Sequence, residues 1–450
     1  LTENSENQSL VPRSPDGDIA TGGKGQRLIK RMNEDAIATI EAPQRDLASV
    51  MRRLGNYELR KEDYEQLHIW ARDFTEDGYP ITALELADKL AWVADERGDS
   101  WIELGRIKRV CFDFLLNEYK MKRLDLTNVP KLISLECYRN QLNELDLTNV
   151  PELQELICQN NELTELDLKN VPKLDELSCQ NNQLTELDLT NLPKLIYLDC
   201  SLNKLAKLDL SNLPELKKLE CESNELTELD LKNVPKLDEL SCQNNQLTEL
   251  DLANLPEMLE LKINDNQMTE LNLKNVSKLS SLNCDNNQIA ELDLSNLPVL
   301  KKLECENNEL TGLELTKVPK LKQLWCSGNK LTELDLVNTP SLNILFCWQN
   351  QLTRLDLSNM PNLMELRCHE NHLTKLNTLN LPMLHDLDCT RNQLAELDLT
   401  NVPHLKLLFC NRNNLIELDT HNCPNLTWIK CDQGVTIIQK PDKNIRLEQI

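Results

Sequence analysis

The chain has 450 residues, is 40% hydrophobic and 27% charged, and carries a formal charge of −24. It is long enough to bury a continuous core, and no apolar run approaches the length of a membrane span, so membrane insertion is not expected. The acidic balance disfavours nucleic acid as a partner, because a polyanion is repelled.

Residues 1–33 are rich in Ser, Gly, Asn and charge, and are read as a disordered leader. No secretory signal opens the chain, although Leu1 is not an initiator Met. Leu10-Val11-Pro12-Arg13-Ser14 looks in part like a thrombin-site tag. A flexible leader is therefore favoured over a delivery signal.

Residues 34–120 change character and are read as an α-helical capping domain. Gly55, Gly78-Tyr79-Pro80 and Gly98-Asp99 punctuate segments with helical apolar spacing, as in Ile81, Leu84, Ala87, Leu90, Ala91 and Ala94. Ser100 is the expected N-cap of a helix with the apolar face Trp101, Leu104, Ile107, Val110, Cys111, Phe114 and Leu115. Trp70, Trp92 and Trp101 are expected in the core. Capping is the default role here, since the end of a repeat stack otherwise exposes its interior.

From Pro130 to Pro424 one 21-residue unit recurs without insertion or deletion, P-x-L-x-x-L-x-C-x-x-N-x-L-T-E-L-D-L-x-N-V/L. Ser277 is the single break in a proline column that counts fifteen coils. So strict a period means a solenoid. In Leu135-Glu136-Cys137 and in Leu145-Asp146-Leu147 apolar residues flank a polar one, which predicts two short parallel strands per coil. Residues 434–450 are read as a C-terminal cap closed by Val435-Thr436-Ile437-Ile438.

The first half-repeat matches L-x-x-L-x-L/C-x-x-N-x-L, and the doubled half ending in L-D-L resembles the bacterial leucine-rich repeat of the 21-residue IRREKO type. The resemblance covers residues 121–433 and includes fourteen Asn, from Asn140 to Asn413. It implies a β-solenoid of leucine-rich repeats that binds partners. The layout also resembles effectors that bacteria inject into host cells, and surface adhesins of the internalin kind.

Three columns have physical readings. The Asn amides can donate and accept, and are expected to satisfy turn groups cut off from water. The Cys column, Cys137 to Cys431, takes an inward position that Ile263 fills in one coil, which argues for packing. Neighbouring strands hold equivalent Cβ atoms nearly 5 Å apart, beyond the roughly 4 Å of a disulfide, so free thiols and a reducing compartment are expected, without metal or cofactor. The outward Asp column, Asp125, Asp146, Asp167 and onward, is read as a solvated face bonded to turn groups rather than a calcium ladder.

Function is expected in the variable slots. The seven aromatics of the repeats, Tyr138, Tyr197, Trp325, Phe346, Trp348, Phe409 and Trp428, lie on or beside the first strand. Trp325, Phe346 and Trp348, continued by Arg367, His369 and Phe409, form the predicted partner-binding surface. Residues 161–189 and 224–252 are identical, which marks the early coils as copied spacer. Residues 121–320 hold 20 basic and 36 acidic residues, whereas 321–450 hold 12 and 14, so the two halves differ in surface. Cys368-His369-Glu370-Asn371-His372 has the spacing H-E-x-H rather than H-E-x-x-H, and catalysis is not expected. The leading reading is a non-enzymatic protein-binding scaffold in the bacterial cytosol, or in a host cytosol as a delivered effector. A secreted or surface adhesin and a glycan-binding module are the alternatives.

Overall fold

A computed structural model describes residues 51–54, 57–73, 75–76, 79–80, 82–88, 90, 102–103, 106–112, 121–438 and 445–450. The leader at 1–33, Trp92, Ser100 and Trp101 lie outside the described residues. No helix among the described residues is long and apolar enough to cross a membrane. The chain divides into two units, Leu1–Tyr119 and Lys120–Ile450.

In the first unit Met51–Leu54 pairs antiparallel with Tyr57–Arg60, and the helix Lys61–Asp73 follows. Glu62 and Asp63 in its first turn and Arg72 in its last oppose the helix dipole at both ends. A second helical segment at 83–88 begins in a capping box: Thr82 Oγ1 accepts the Glu85 N–H at 3.2 Å, and Glu85 Oε2 accepts the Thr82 N–H at 2.6 Å. Trp70 is in the core as expected, buried edge-on against Phe112 at 5.3 Å.

Where a helix is expected over 101–115, the described residues, 102–103 and 106–112, form strands instead. Ile102–Glu103 pairs antiparallel with Arg106–Ile107, and Arg109–Cys111 is a further strand. The buried Asp63 explains part of this, because its Oδ1 accepts the Ile107 N–H at 2.9 Å, a donor that a helix would need for itself. The β-branched Ile102, Ile107 and Val110 favour the extended form. The unit is thus mixed, with helices and short strands.

The second unit is a parallel β-solenoid. Fifteen successive coils contribute one strand each, from Ser134–Glu136 to Trp428–Cys431, and Arg446–Gln449 adds another beside the last. Register is kept throughout: Leu135 faces Leu156, and so on to Leu408 and Ile429. Successive core residues therefore stack Leu on Leu, and nearly all are fully buried. Toward the C-terminus Thr436–Ile438 pairs with Glu417–Asp419, and Leu447 pairs with Ile429 but stays exposed at the end of the stack.

Among the described residues the expected second strand forms only in the last two coils, as Glu417–Asp419 and Thr436–Ile438. Leu145 and Leu147 are buried and Asp146 is exposed, so the alternation holds. The backbone, however, is tied into local turns. Asp146 Oδ1 accepts the Thr148 N–H at 2.9 Å, and the Val150 N–H bonds Leu147 O at 3.3 Å. The same Asp-to-turn bond recurs at Asp167, Asp188, Asp209, Asp230 and Asp251. Side chains that cap their own backbone compete with a ladder, and here they win. At Asp146 this bond also lowers the carboxyl pKa, which fits the turn-bonded reading of the column.

The Asn column stitches coil to coil. Asn161 Oδ1 accepts the Leu142 N–H of the preceding coil at 3.0 Å, while its Nδ2 donates to Cys137 O at 3.0 Å and Cys158 O at 2.9 Å. The residue before each ladder Asn has positive φ, from Arg139 at 56° to Arg412 at 59°, with Gly328 at 64°. This left-handed step turns the strand into the Asn corner, and Asn fills it repeatedly because it tolerates αL better than most residues.

All sixteen cysteines are free and buried. Burial pushes the Cys242 and Cys347 thiols up to about 12 and raises those of Cys158 and Cys368 as well, so little thiolate exists at neutral pH. Native alkylation of the ladder is therefore expected to be slow, with fast labelling only after unfolding. Mass spectrometry after pulsed iodoacetamide checks this, and rapid native labelling of Cys242 would contradict it.

Candidate functional site

Each ladder strand turns two side chains outward around an inward Leu, and the residue two positions past the strand forms a third outward column. Trp325 and Phe346 face one another across strands Gln323–Trp325 and Ile344–Phe346, with rings edge-on at 5.9 Å and 86°. Cations cover both ends of this pair. Lys302 Nζ lies 5.1 Å from the Trp325 ring centre and the Arg367 guanidinium 4.5 Å from that of Phe346. Lys302 is in turn held by Glu304 at 2.8 Å.

In the third column Trp348 stacks flat on His369, 5.1 Å between centres and 5° between planes. His369 Nδ1 lies 3.3 Å from Asp388 Oδ2. Burial holds His369 below its ordinary pKa despite the opposing pull of Asp388, so at neutral pH the ring is uncharged. Five of the six predicted residues thus lie close together on successive strands. Phe409 stands apart: Asp388 separates it from Arg367 in the column, and it packs edge-on against Trp428 at 5.0 Å. Arg446 covers that Trp428 ring at 4.2 Å.

Two corrections follow. The aromatics are half-buried rather than fully exposed, because strands one ladder step apart press each ring against its neighbour. The site also includes Lys302, Asp388, Trp428 and Arg446, which the sequence reading did not place in it. The 21-residue register sets Asp388 beside Arg367 in the outward column, whereas Arg446, 18 residues after Trp428, falls outside that register.

The motif Cys368-His369-Glu370-Asn371-His372 is pulled apart by the fold. Cys368 points into the core, His369 stacks on Trp348, Asn371 serves the amide ladder, and His372 is exposed. These side chains do not converge on a common point.

The strand face of the preceding coils is acidic. Burial pushes Asp285 up to about 7, against the N–H of Glu306 that its Oδ1 accepts at 2.5 Å, and Glu306, Glu304 and Asp265 push it further. Because the folded-state pKa is raised, the native state holds the proton more tightly, and this group's contribution to stability falls as pH rises from about 4 to about 7. Asp285→Asn, which keeps the acceptor, is expected to raise the melting temperature at pH 7.5, with the gain vanishing near pH 4. A gain independent of pH would contradict the assignment.

A groove of about 1020 Å³ runs along the second-half surface past Asp209, Asp230, Asp251 and Asp293. Each of these carboxylates accepts a turn N–H. The four aspartates of the lining are therefore accounted for by the turns they cap.

The functional domain of InlJ from Listeria monocytogenes, described as including a cysteine ladder, is 35% identical with a TM-score of 0.66, covering 69% of this chain and 69% of that one. The chain belongs to the bacterial leucine-rich repeat proteins. A second bacterial leucine-rich repeat structure, YopM from Yersinia enterocolitica WA-314, is 30% identical with a TM-score of 0.60, over 76% of this chain and 78% of that one. The plant peptide hormone receptor RGFR1, solved in complex with RGF2, shares the fold at 20% identity and a TM-score of 0.59, over 70% of this chain and 60% of that one. No protein-family profile matches the chain, and a search of curated proteins gives no match. As a leucine-rich repeat protein, the chain is a repeat scaffold whose variable residues stand on an invariant frame.

Proposed function

We propose that this protein is a non-enzymatic protein-binding scaffold, and that its recognition surface is the strand face at Trp325, Phe346, Trp348, Arg367, His369 and Phe409. The observation that carries the reading is the run of packed aromatics with a cation over an outer ring, Lys302–Trp325–Phe346–Arg367, on otherwise polar repeats. Clustered Trp and Arg side chains, pre-ordered by their neighbours, lose little entropy on binding and are the residues that dominate interfaces. RGFR1 with its bound RGF2 is a precedent for a peptide partner on this fold.

The same geometry weighs against the glycan reading. A sugar platform uses open ring faces, and here one face of each ring is already taken, Trp325 by Lys302, Phe346 by Arg367 and Trp348 by His369. The roles of delivered effector and surface adhesin use this face equally, and fractionation of the producing cell separates them. Capture from lysates by the wild-type chain and by a Trp325→Ala, Trp348→Ala double variant tests the reading. Equal capture by both would sink it.

A further inference from the structure

We propose that the partner lays across this face an extended segment in which an acidic residue, a basic residue, an apolar residue and a second acidic residue follow one another, with its two carboxylates on Arg367 and Arg446. The inference rests on the protein-binding reading of the same surface and adds the partner's charge register.

Arg367 and Arg446 share an unusual condition. Each is exposed, each guanidinium lies over an aromatic ring at 4.5 or 4.2 Å, and neither guanidinium makes a hydrogen bond or ion pair among the described residues. Three neighbouring cations are engaged: Lys302 with Glu304, Arg391 with Glu370, and Lys430 with Glu448. A guanidinium held over a ring keeps N–H groups for other partners, and a carboxylate can take two of them in parallel hydrogen bonds.

The residues between the two arginines set the rest of the pattern. From Arg367 the paired column runs Asp388, Phe409, Lys430 and Glu448, and Arg446 lies on that last strand. Asp386 and Asp388 on the next strand call for a basic residue. Leu407 and Phe409, half-buried on the strand after that, offer an apolar seat. Four strand steps put the two arginines about 19 Å apart along the ladder, so an extended chain advances roughly 1.5 residues per step. The second carboxylate then falls about six residues after the first. On a chain of charge −24, an acidic segment displaced toward the early coils meets Glu304, Glu306 and Asp285 and is repelled, which fixes its register.

The probe is a capped, fluorescein-labelled heptapeptide, Asp-Ser-Lys-Phe-Ser-Ser-Asp, synthesised also in reverse order because chain direction is open. Its charge-reversed counterpart exchanges Asp and Lys. Anisotropy titration with the full chain is expected to show one direction binding about tenfold or more tighter than the charge-reversed peptide. Arg367→Gln and Arg446→Gln should each weaken it by about tenfold, whereas Arg354→Gln on the second-half surface should not. Equal or tighter binding of the charge-reversed peptide, no binding in either direction, or unchanged affinity in the two Arg→Gln variants would overturn the proposal. If those variants still capture the partner while the double-Trp variant loses it, the charge register is wrong and the binding face stands. Capture that survives loss of both Trp removes the face itself.

Discussion

Asn245→Ala is expected to cost about 1–3 kcal/mol, the range for leaving buried polar groups unpaired. The side chain is buried and makes bonds in two coils: Oδ1 accepts the Leu226 N–H at 3.0 Å, and Nδ2 donates to Cys221 O at 3.0 Å and Cys242 O at 3.1 Å. Alanine orphans one donor and two acceptors in a corner closed to water. Asn254→Ala is the control, because that Asn is exposed on the turn, and a surface change of this kind stays within about 0.5 kcal/mol. Urea denaturation of both variants measures the difference. Since repeat stability is roughly a sum of coil and nearest-neighbour terms, a weakened middle coil should also broaden the transition. Equal, small effects at Asn245 and Asn254 would mean that the amide column does not join the coils.

The second large effect is on binding. Replacing Trp325 and Trp348 by Ala removes both large rings from the central stack and leaves Phe346 and His369 without their neighbours. Loss of two central aromatic anchors costs about 2 kcal/mol or more each in well-packed interfaces, enough to abolish capture at micromolar affinity. Because the rings are half-buried, stability falls as well, by about 0.5–1.5 kcal/mol for each lost aromatic pair. Tyr138→Ala with Tyr197→Ala removes two aromatics from the strand face of early coils and controls for this. That variant is expected to keep its partner.

Much of the fold could be read from the sequence, and the reason is repetition. A column seen fifteen times separates inward Leu and Cys from outward variable positions, so strand placement, the Asn corners and the buried thiols all follow from residue type. The second half-repeat misled because L-D-L carries strand periodicity, yet its Asp side chains hold the backbone in turns. The segment 101–115 misled similarly: its apolar spacing fits a helix, but the Asp63 bond to Ile107 comes from 44 residues away. At the candidate site the aromatic residues were visible while their grouping was not. Phe409 is the next aromatic after Arg367 along the chain, but the column places Asp388 between them and Trp428 packs beside it. Lys302 and Arg446 matter only through the rings they cover, a relation that needs coordinates.

The most direct test of the central claim compares two variants in one capture experiment. The first is the double-Trp variant. The second lacks residues 172–234, three whole coils within the duplicated region, which preserves register and shortens the ladder by roughly 14 Å. If recognition lies on the aromatic and arginine face of the late coils, the shortened chain retains its partner and the double-Trp chain loses it. If the shortened chain loses its partner while the double-Trp chain keeps it, the acidic early coils are the binding surface and the site assigned to Trp325, Phe346 and Trp348 is wrong.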